Sequence, residues 1–207
     1  MSTMTEKESP YAIGADVSCA DGDCGRLHRI IMDPATRALT HLVVGRDAHA
    51  ARLVPATLVA SAGTGSIVLT CTASGFDLLE PAEATEMVAP AAPSGGPVTG
   101  GGALGGGYRA PSKPDMVTYD RVPAGEVQLC RNERLHAADG DIGHIKGLMA
   151  APDHHVTHIL LSEGHLWSRK EVAVPIRNVV DATFGVQVDL TREELKDLPA
   201  IDLTRAG

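Results

Sequence analysis

Residues 20–27 read ADGDCGRL and residues 138–145 read ADGDIGHI, so one acidic, glycine-punctuated octet is used twice. The two stand 118 residues apart, 139 less 21. The match runs outward from there. GRLHRIIMDPATRALTHLVVG (Gly25–Gly45) lies beside GHIKGLMAAPDHHVTHILLS (Gly143–Ser162), with Pro34 facing Pro152. One residue is missing after that second proline, so Thr40 and His41 face Thr157 and His158. Further on, RLVPATLV (Arg52–Val59) answers EVAVPIRNVV (Glu171–Val180), and GSIVLT answers GVQVDL. Self-similarity of this kind marks a structural unit built twice. The expected layout is a disordered N-terminus over 1–10, a first unit over 11–81, a flexible linker over 82–120, a second unit over 121–202 and a tail over 203–207.

Each copy reads as mostly β. Short apolar runs such as LTHLVVG and VTHILL are bounded by turn pairs, Asp-Gly at 21–22 and 139–140 and Asp-Pro at 33–34. Val172, Val174 and Ile176 alternate as a half-buried strand does. In LTREELKDLP, Thr191 and Glu194 have capping-box spacing for a short helix stopped by Pro199. Several short strands and one brief helix in about 80 residues fit a small closed or half-closed barrel. The spacer differs in kind. From Pro90 to Pro114, 25 residues hold five prolines and eight glycines, a composition that cannot bury enough apolar surface to offset chain entropy. Gly100, Gly102 and Gly105 satisfy GxGxxG, but more glycine and proline follow where a dinucleotide site needs a helix.

Charge narrows the function classes. The formal net charge is −8, and neither half is basic: five Lys/Arg against seven Asp/Glu over 11–80, and ten against fourteen over 120–207. Nucleic-acid binders carry a cationic face, and anionic membranes repel an acidic chain, so neither partner is expected. MSTMTEKESPYAIG lacks the apolar core of a signal peptide, and no apolar run is long enough to span a bilayer. Cys19, Cys24, Cys71 and Cys130 form no CxxC pair and no obvious disulfide framework. Cys24 and Ile142 share a place in the repeat, which makes Cys24 a small buried hydrophobe and the expected compartment a reducing cytoplasm.

The stretches RNERLHAADGDIGHIKGLM, VTHILLSEGHLWSRKEVAVPIRNVV and VQVDLTREELKDLP together resemble the PRC-barrel family, named for the cytoplasmic domain of the photosynthetic reaction-centre H subunit. The second copy matches along nearly its whole length and the first, IGADVSCADGDCGRLHRIIMDPATRALTHLVV, to Val44. The resemblance implies a mainly β fold: two small PRC-like barrels in tandem, each with a short C-terminal helical segment, joined by the Gly/Pro-rich linker. It also implies a barrel that docks on other proteins with no catalytic residue set and no cofactor. The H subunit's membrane helix has no counterpart in this sequence.

Candidate residues fall into three groups. Asp21-Gly22 and Asp139-Gly140 read as structural turns, because Asp-Gly favours tight hairpins and the acids at 21, 23, 139 and 141 lack the further oxygen ligands of a calcium loop. His154, His155 and His158 form HHxxH, a spacing at which imidazoles can hold zinc or nickel. His158 repeats as His41, however, and Ala35 with Thr36 or Arg37 replaces the other two, so structural or surface roles are the blander reading. The third group lies where the copies disagree. EGHLWSRKEVAVP carries the only tryptophan, so Leu166, Trp167, Arg169 and Lys170 are the candidate partner contact, against the alternative that Trp167 caps its own barrel. The chain thus reads as a non-catalytic docking or scaffold module, bivalent through its tether, acting on an unidentified protein or on a second copy of itself. The alternative is a metal- or small-molecule-responsive module using the histidine cluster.

Overall fold

β-Branched and aliphatic residues at alternate positions drive the local structure, and 57% of the described residues are in strands against 11% in helices. The computed structural model describes residues 8–88, 115–131, 133–163, 170–181 and 185–198. The first half contains β1 (Ser9–Ala12), β2 (Asp16–Ser18), β3 (Asp23–Asp33), β4 (Ala38–Gly45) and β5 (Arg52–Pro55). A 3₁₀ turn at Ala56–Leu58 leads to β6 (Val59–Ala62), β7 (Ser66–Leu69) and the helix α1 (Ala73–Asp77). Between the halves run β8 (Glu83–Val88) and β9 (Asp115–Asp120). The second half repeats the first with β10 (Val127–Cys130), β11 (Arg134–Ala137), β12 (Gly140–Ala150), β13 (Val156–Glu163) and β14 (Lys170–Pro175). A 3₁₀ turn at Ile176–Asn178, β15 (Val179–Asp181), β16 (Val186–Val188) and α2 (Arg192–Asp197) complete it.

The hydrogen-bonded order is β5-β4-β3-β2-β7-β6 in one sheet and β14-β13-β12-β11-β16-β15 in the other. Both are mixed sheets, and among the described residues no ladder joins the ends of either. Each order leaves out the first strand of its own half. β1 pairs antiparallel with β12 of the second half, Ser9 facing Ala150 and Ala12 facing Gly147. β10 pairs antiparallel with β3 of the first half, Val127 facing Met32 and Cys130 facing Arg29. Both partners shift by 118 residues between these two ladders (127 less 9, 150 less 32), so the exchange is reciprocal and in equivalent register. This corrects the expectation of two separate units in tandem. The halves are interlocked, and one apolar core runs through both, taking in Tyr11, Val17, Leu27 and Ile30 with Leu129, Leu135, Ile145 and Leu148.

The hairpin tips clasp as well. Arg37 and His154 occupy the same repeat position and both adopt left-handed backbone, with φ of 57° and 66°. The Leu39 N–H donates to the His154 carbonyl at 2.8 Å, and the Val156 N–H returns the bond to Arg37 at 2.8 Å. Ala38 and His155 bridge antiparallel between them.

Two expected boundaries move. Ser9 and Pro10 lie in β1, so strand structure begins inside the segment assigned to a disordered N-terminus. The linker's ends are also strands: β8 pairs with β9 from Glu83–Asp120 to Val88–Asp115. Arg29, mostly buried, fastens this ribbon by ion pairs to Glu83 at 3.3 Å and to Asp120. Burial lowers the guanidinium's pKa, but its hydrogen bond and charge attraction to Asp120 outweigh that and raise it. The ribbon's root covers an outer cluster of Ile31, Val43, Ala51, Leu53 and Ala82. Residues 89–114 and the tail at 203–207 lie outside the described residues. No helix among the described residues is long and apolar enough to cross a membrane.

Candidate functional site

The duplicated octet is a hairpin turn in both halves, and its first aspartate reaches past the turn. Asp21 Oδ1 accepts the N–H of Ala73 at 2.6 Å, at the start of α1. Asp139 Oδ1 accepts the N–H of Arg192 at 2.7 Å, at the start of α2. That backbone bond, then the Arg192 side chain, holds the Asp139 carboxyl below the usual range against slight desolvation. Both helices also carry their own caps: Thr72 accepts from the Gly75 N–H, and Thr191 with Glu194 forms the expected capping box. Gly140 adopts the left-handed conformation (φ 132°), whereas in the first half that conformation falls at Gly25 rather than at Gly22. The second aspartates are occupied too. Asp141 pairs with His136 at 2.6 Å, which lowers the aspartate's pKa, and Asp23 accepts the Gly25 N–H at 3.3 Å.

The three candidate histidines have different surroundings. His154 sits at the clasp, with Nδ1 buried and without a hydrogen-bond partner among the described residues. His155 is exposed opposite Ala38. His158 lies on β13, its Nδ1 3.6 Å from Glu8 Oε2 and 3.1 Å from the Thr157 hydroxyl. The repeat twin behaves alike: His41 Nδ1 lies 3.5 Å from Glu126 Oε2, close enough for charge attraction but not aligned as a hydrogen bond. Glu8 and Glu126 are 118 residues apart (126 less 8) and each flanks an exchanged strand. The shared histidine therefore meets a carboxylate from the opposite half. Among the described residues no three His, Cys, Asp or Glu side chains converge as metal ligands.

Leu166, Trp167 and Arg169 lie outside the described residues. Lys170 opens β14, its backbone paired with Glu163.

A feature the sequence reading missed is a cleft of about 330 Å³ on the first half. Phe76 of α1 is the buried apolar part of its lining, the β4–β5 loop supplies Arg46 and Asp47, β5 supplies Arg52, and Asp77 ends α1 beside it. Arg52 donates to the Leu79 carbonyl at 3.3 Å, and Asp47 accepts the Ala50 N–H at 2.8 Å. Arg46 is exposed, with no ion-pair or hydrogen-bond partner among the described residues. Cys24 is also part of the lining, and it is disulfide-bonded to Cys19 across the turn. Cys24 is buried as expected, but as half of a bridge, which corrects the reading of four unpaired cysteines and removes the argument for a reducing compartment. The spacing was the available signal: five residues across a tight hairpin suit a bridge. Among the described residues the equivalent crevice of the second half, lined by Ile142, Gly143, Leu161, Val172 and Leu195, is apolar and about 10 Å³. Val172 replaces Arg52 and Ile142 replaces Cys24.

No protein-family model matches the chain, and no curated protein matches it in sequence.

Proposed function

We propose that the protein is a non-catalytic docking module of the PRC-barrel type that presents two diverged faces on one body. The observation carrying this reading is the reciprocal exchange of β1 and β10, which ties the halves at fixed geometry. Shared features of the two halves (turn, cap, clasp and His–Glu contact) maintain the fold. The divergent features are free for recognition: the charged cleft on the first half and, in the sequence of the second, the Trp167 segment before β14. Bivalency here would come from two halves tied by exchanged strands, which avoids the orientational entropy that a loose tether would lose on binding. The resemblance of the quoted motifs to PRC barrels supports the same class.

The test is affinity capture from native lysate with wild type, Trp167→Ala/Arg169→Ala and Arg46→Glu, each checked for folding by circular dichroism. A protein retained by wild type and lost from either folded variant supports docking and assigns the face. Identical capture by all three sinks it. A homo-oligomer is separated by light scattering over a dilution series. The second reading is ligand binding, and the observation favouring it is the cleft, which is large enough for a small charged molecule and is lined by charged side chains of both signs.

A further inference from the structure

The disulfide at the cleft has no evident structural necessity. The second half has Ala137 and Ile142 where the first has Cys19 and Cys24 (137 less 19 and 142 less 24, both 118), yet it builds the same hairpin and the same aspartate-to-helix bond. A bridge between residues five apart closes a very short loop. The stabilisation a bridge gains by restricting the unfolded chain grows with loop length, so this one gains little. Its position is more informative, because Cys24, though buried, is part of the lining of a charged cavity.

That cavity holds charges of both signs. Its lining includes Arg46 and Arg52, whose guanidinium groups match carboxylates, and Asp23, Asp47 and Asp77, which match an ammonium. A ligand satisfying both signs and offering sulfur to the bridge is a small amino-acid or short-peptide thiol. We propose that the cleft is a thiol–disulfide exchange site for such zwitterionic thiols, with the Cys19–Cys24 bond as the acceptor. This rests on the ligand-binding reading of the cleft and is independent of docking at the Trp167 segment.

The step is balanced within the two reactants. The incoming thiolate attacks Cys24 Sγ, a new S–S bond forms there, and the Cys19–Cys24 bond breaks with its electron pair leaving on Cys19. Cys19 takes up from solvent the proton that the incoming thiol released. A second thiol attacking the mixed disulfide frees Cys24 and releases the thiol's own disulfide; the protein bond is reduced by two electrons and the two small thiols are oxidised by the same number.

The experiment treats the folded full-length chain with glutathione, which carries one ammonium and two carboxylates, and in parallel with uncharged 2-mercaptoethanol at matched thiolate concentration. Acid quenching and peptide mass mapping then locate adducts. The expected result is a mixed disulfide on Cys24, with glutathione about tenfold faster, the worth of one charge-assisted hydrogen bond. Arg46→Ala, at an exposed site outside the core, should erase that preference. An intact bridge, adducts only on Cys71 or Cys130, or equal rates for both thiols would overturn the proposal. S-methylglutathione, which cannot exchange, separates the two layers by calorimetry. If it binds while glutathione leaves the bridge intact, exchange fails and the cleft remains a ligand site.

Discussion

Asp139 shows how much one side chain contributes at the scale of a residue. It was legible as a turn residue from Asp-Gly alone, but the group it serves lies at Arg192 and is invisible to any local reading. Five carboxyls are held below their ordinary range in this way: Asp33 by the Thr36 hydroxyl, Asp120, against the cost of burial, by Arg29, Asp139 by the Arg192 N–H, Asp141 by His136 and Glu194 by the Thr191 N–H. Depressed folded-state values mean that the unfolded chain takes up protons first as pH falls. Their contribution is therefore complete above about pH 4.5 and is lost as pH drops through the folded values. The urea midpoint should stay level on the acid side down to about pH 5 and decline below about pH 4, with Asp139→Asn flattening that decline. Cys24 shows the opposite case. Comparison with Ile142 pointed to a hydrophobe, because equivalence across a repeat reveals what the fold tolerates and conceals what one copy has added.

At the scale of elements, strands and helices were readable from alternation and caps, while the identity of their partners was not. β1 and β10 would satisfy an edge in their own half as well as one in the other, since the acceptor strands β3 and β12 are themselves repeats. The exchange continues past the end of β1, where the Ile13 N–H bonds the Lys146 carbonyl at 2.7 Å. Two substitutions test the exchange. A Cβ on Gly147 would stand 2.0 Å from the Tyr11 carbonyl oxygen, so Gly147→Ala should push β1 off β12 and cost about 3 kcal/mol by urea denaturation. Loss of amide protection in β1 by hydrogen exchange would locate the damage. Leu129 is fully buried on β10, and Leu129→Ala should cost about 2–5 kcal/mol. Because β10 packs in the opposite half's sheet, the hydrogen-exchange damage should include β3 of the first half as well as the second. Damage confined to the second half would contradict the exchange.

For the whole molecule, the interlock predicts one cooperative transition. Urea unfolding followed by tyrosine fluorescence and by far-ultraviolet circular dichroism should coincide, whereas independent tandem units would give two steps. Cutting the chain within residues 89–114 and co-expressing the pieces should yield a 1:1 complex, with neither piece monomeric and folded alone. The duplication and the motifs made the β class accessible from sequence; the cleft was not, because Arg46, Arg52 and Asp77 come from separate elements and carry no motif. The exchange also bears on synthesis. When Asp77 has been added, Cys130 is still 53 residues away (130 less 77). At about 5–20 residues per second the ribosome needs roughly 3–10 s to supply it. Throughout that interval the Arg29–Met32 edge of a nearly finished sheet is bare, and a bare edge accepts strands from any neighbouring chain. On a crowded polysome the next nascent chain offers one, so the feature that locks the mature protein is also where a growing copy is most exposed to joining the wrong one.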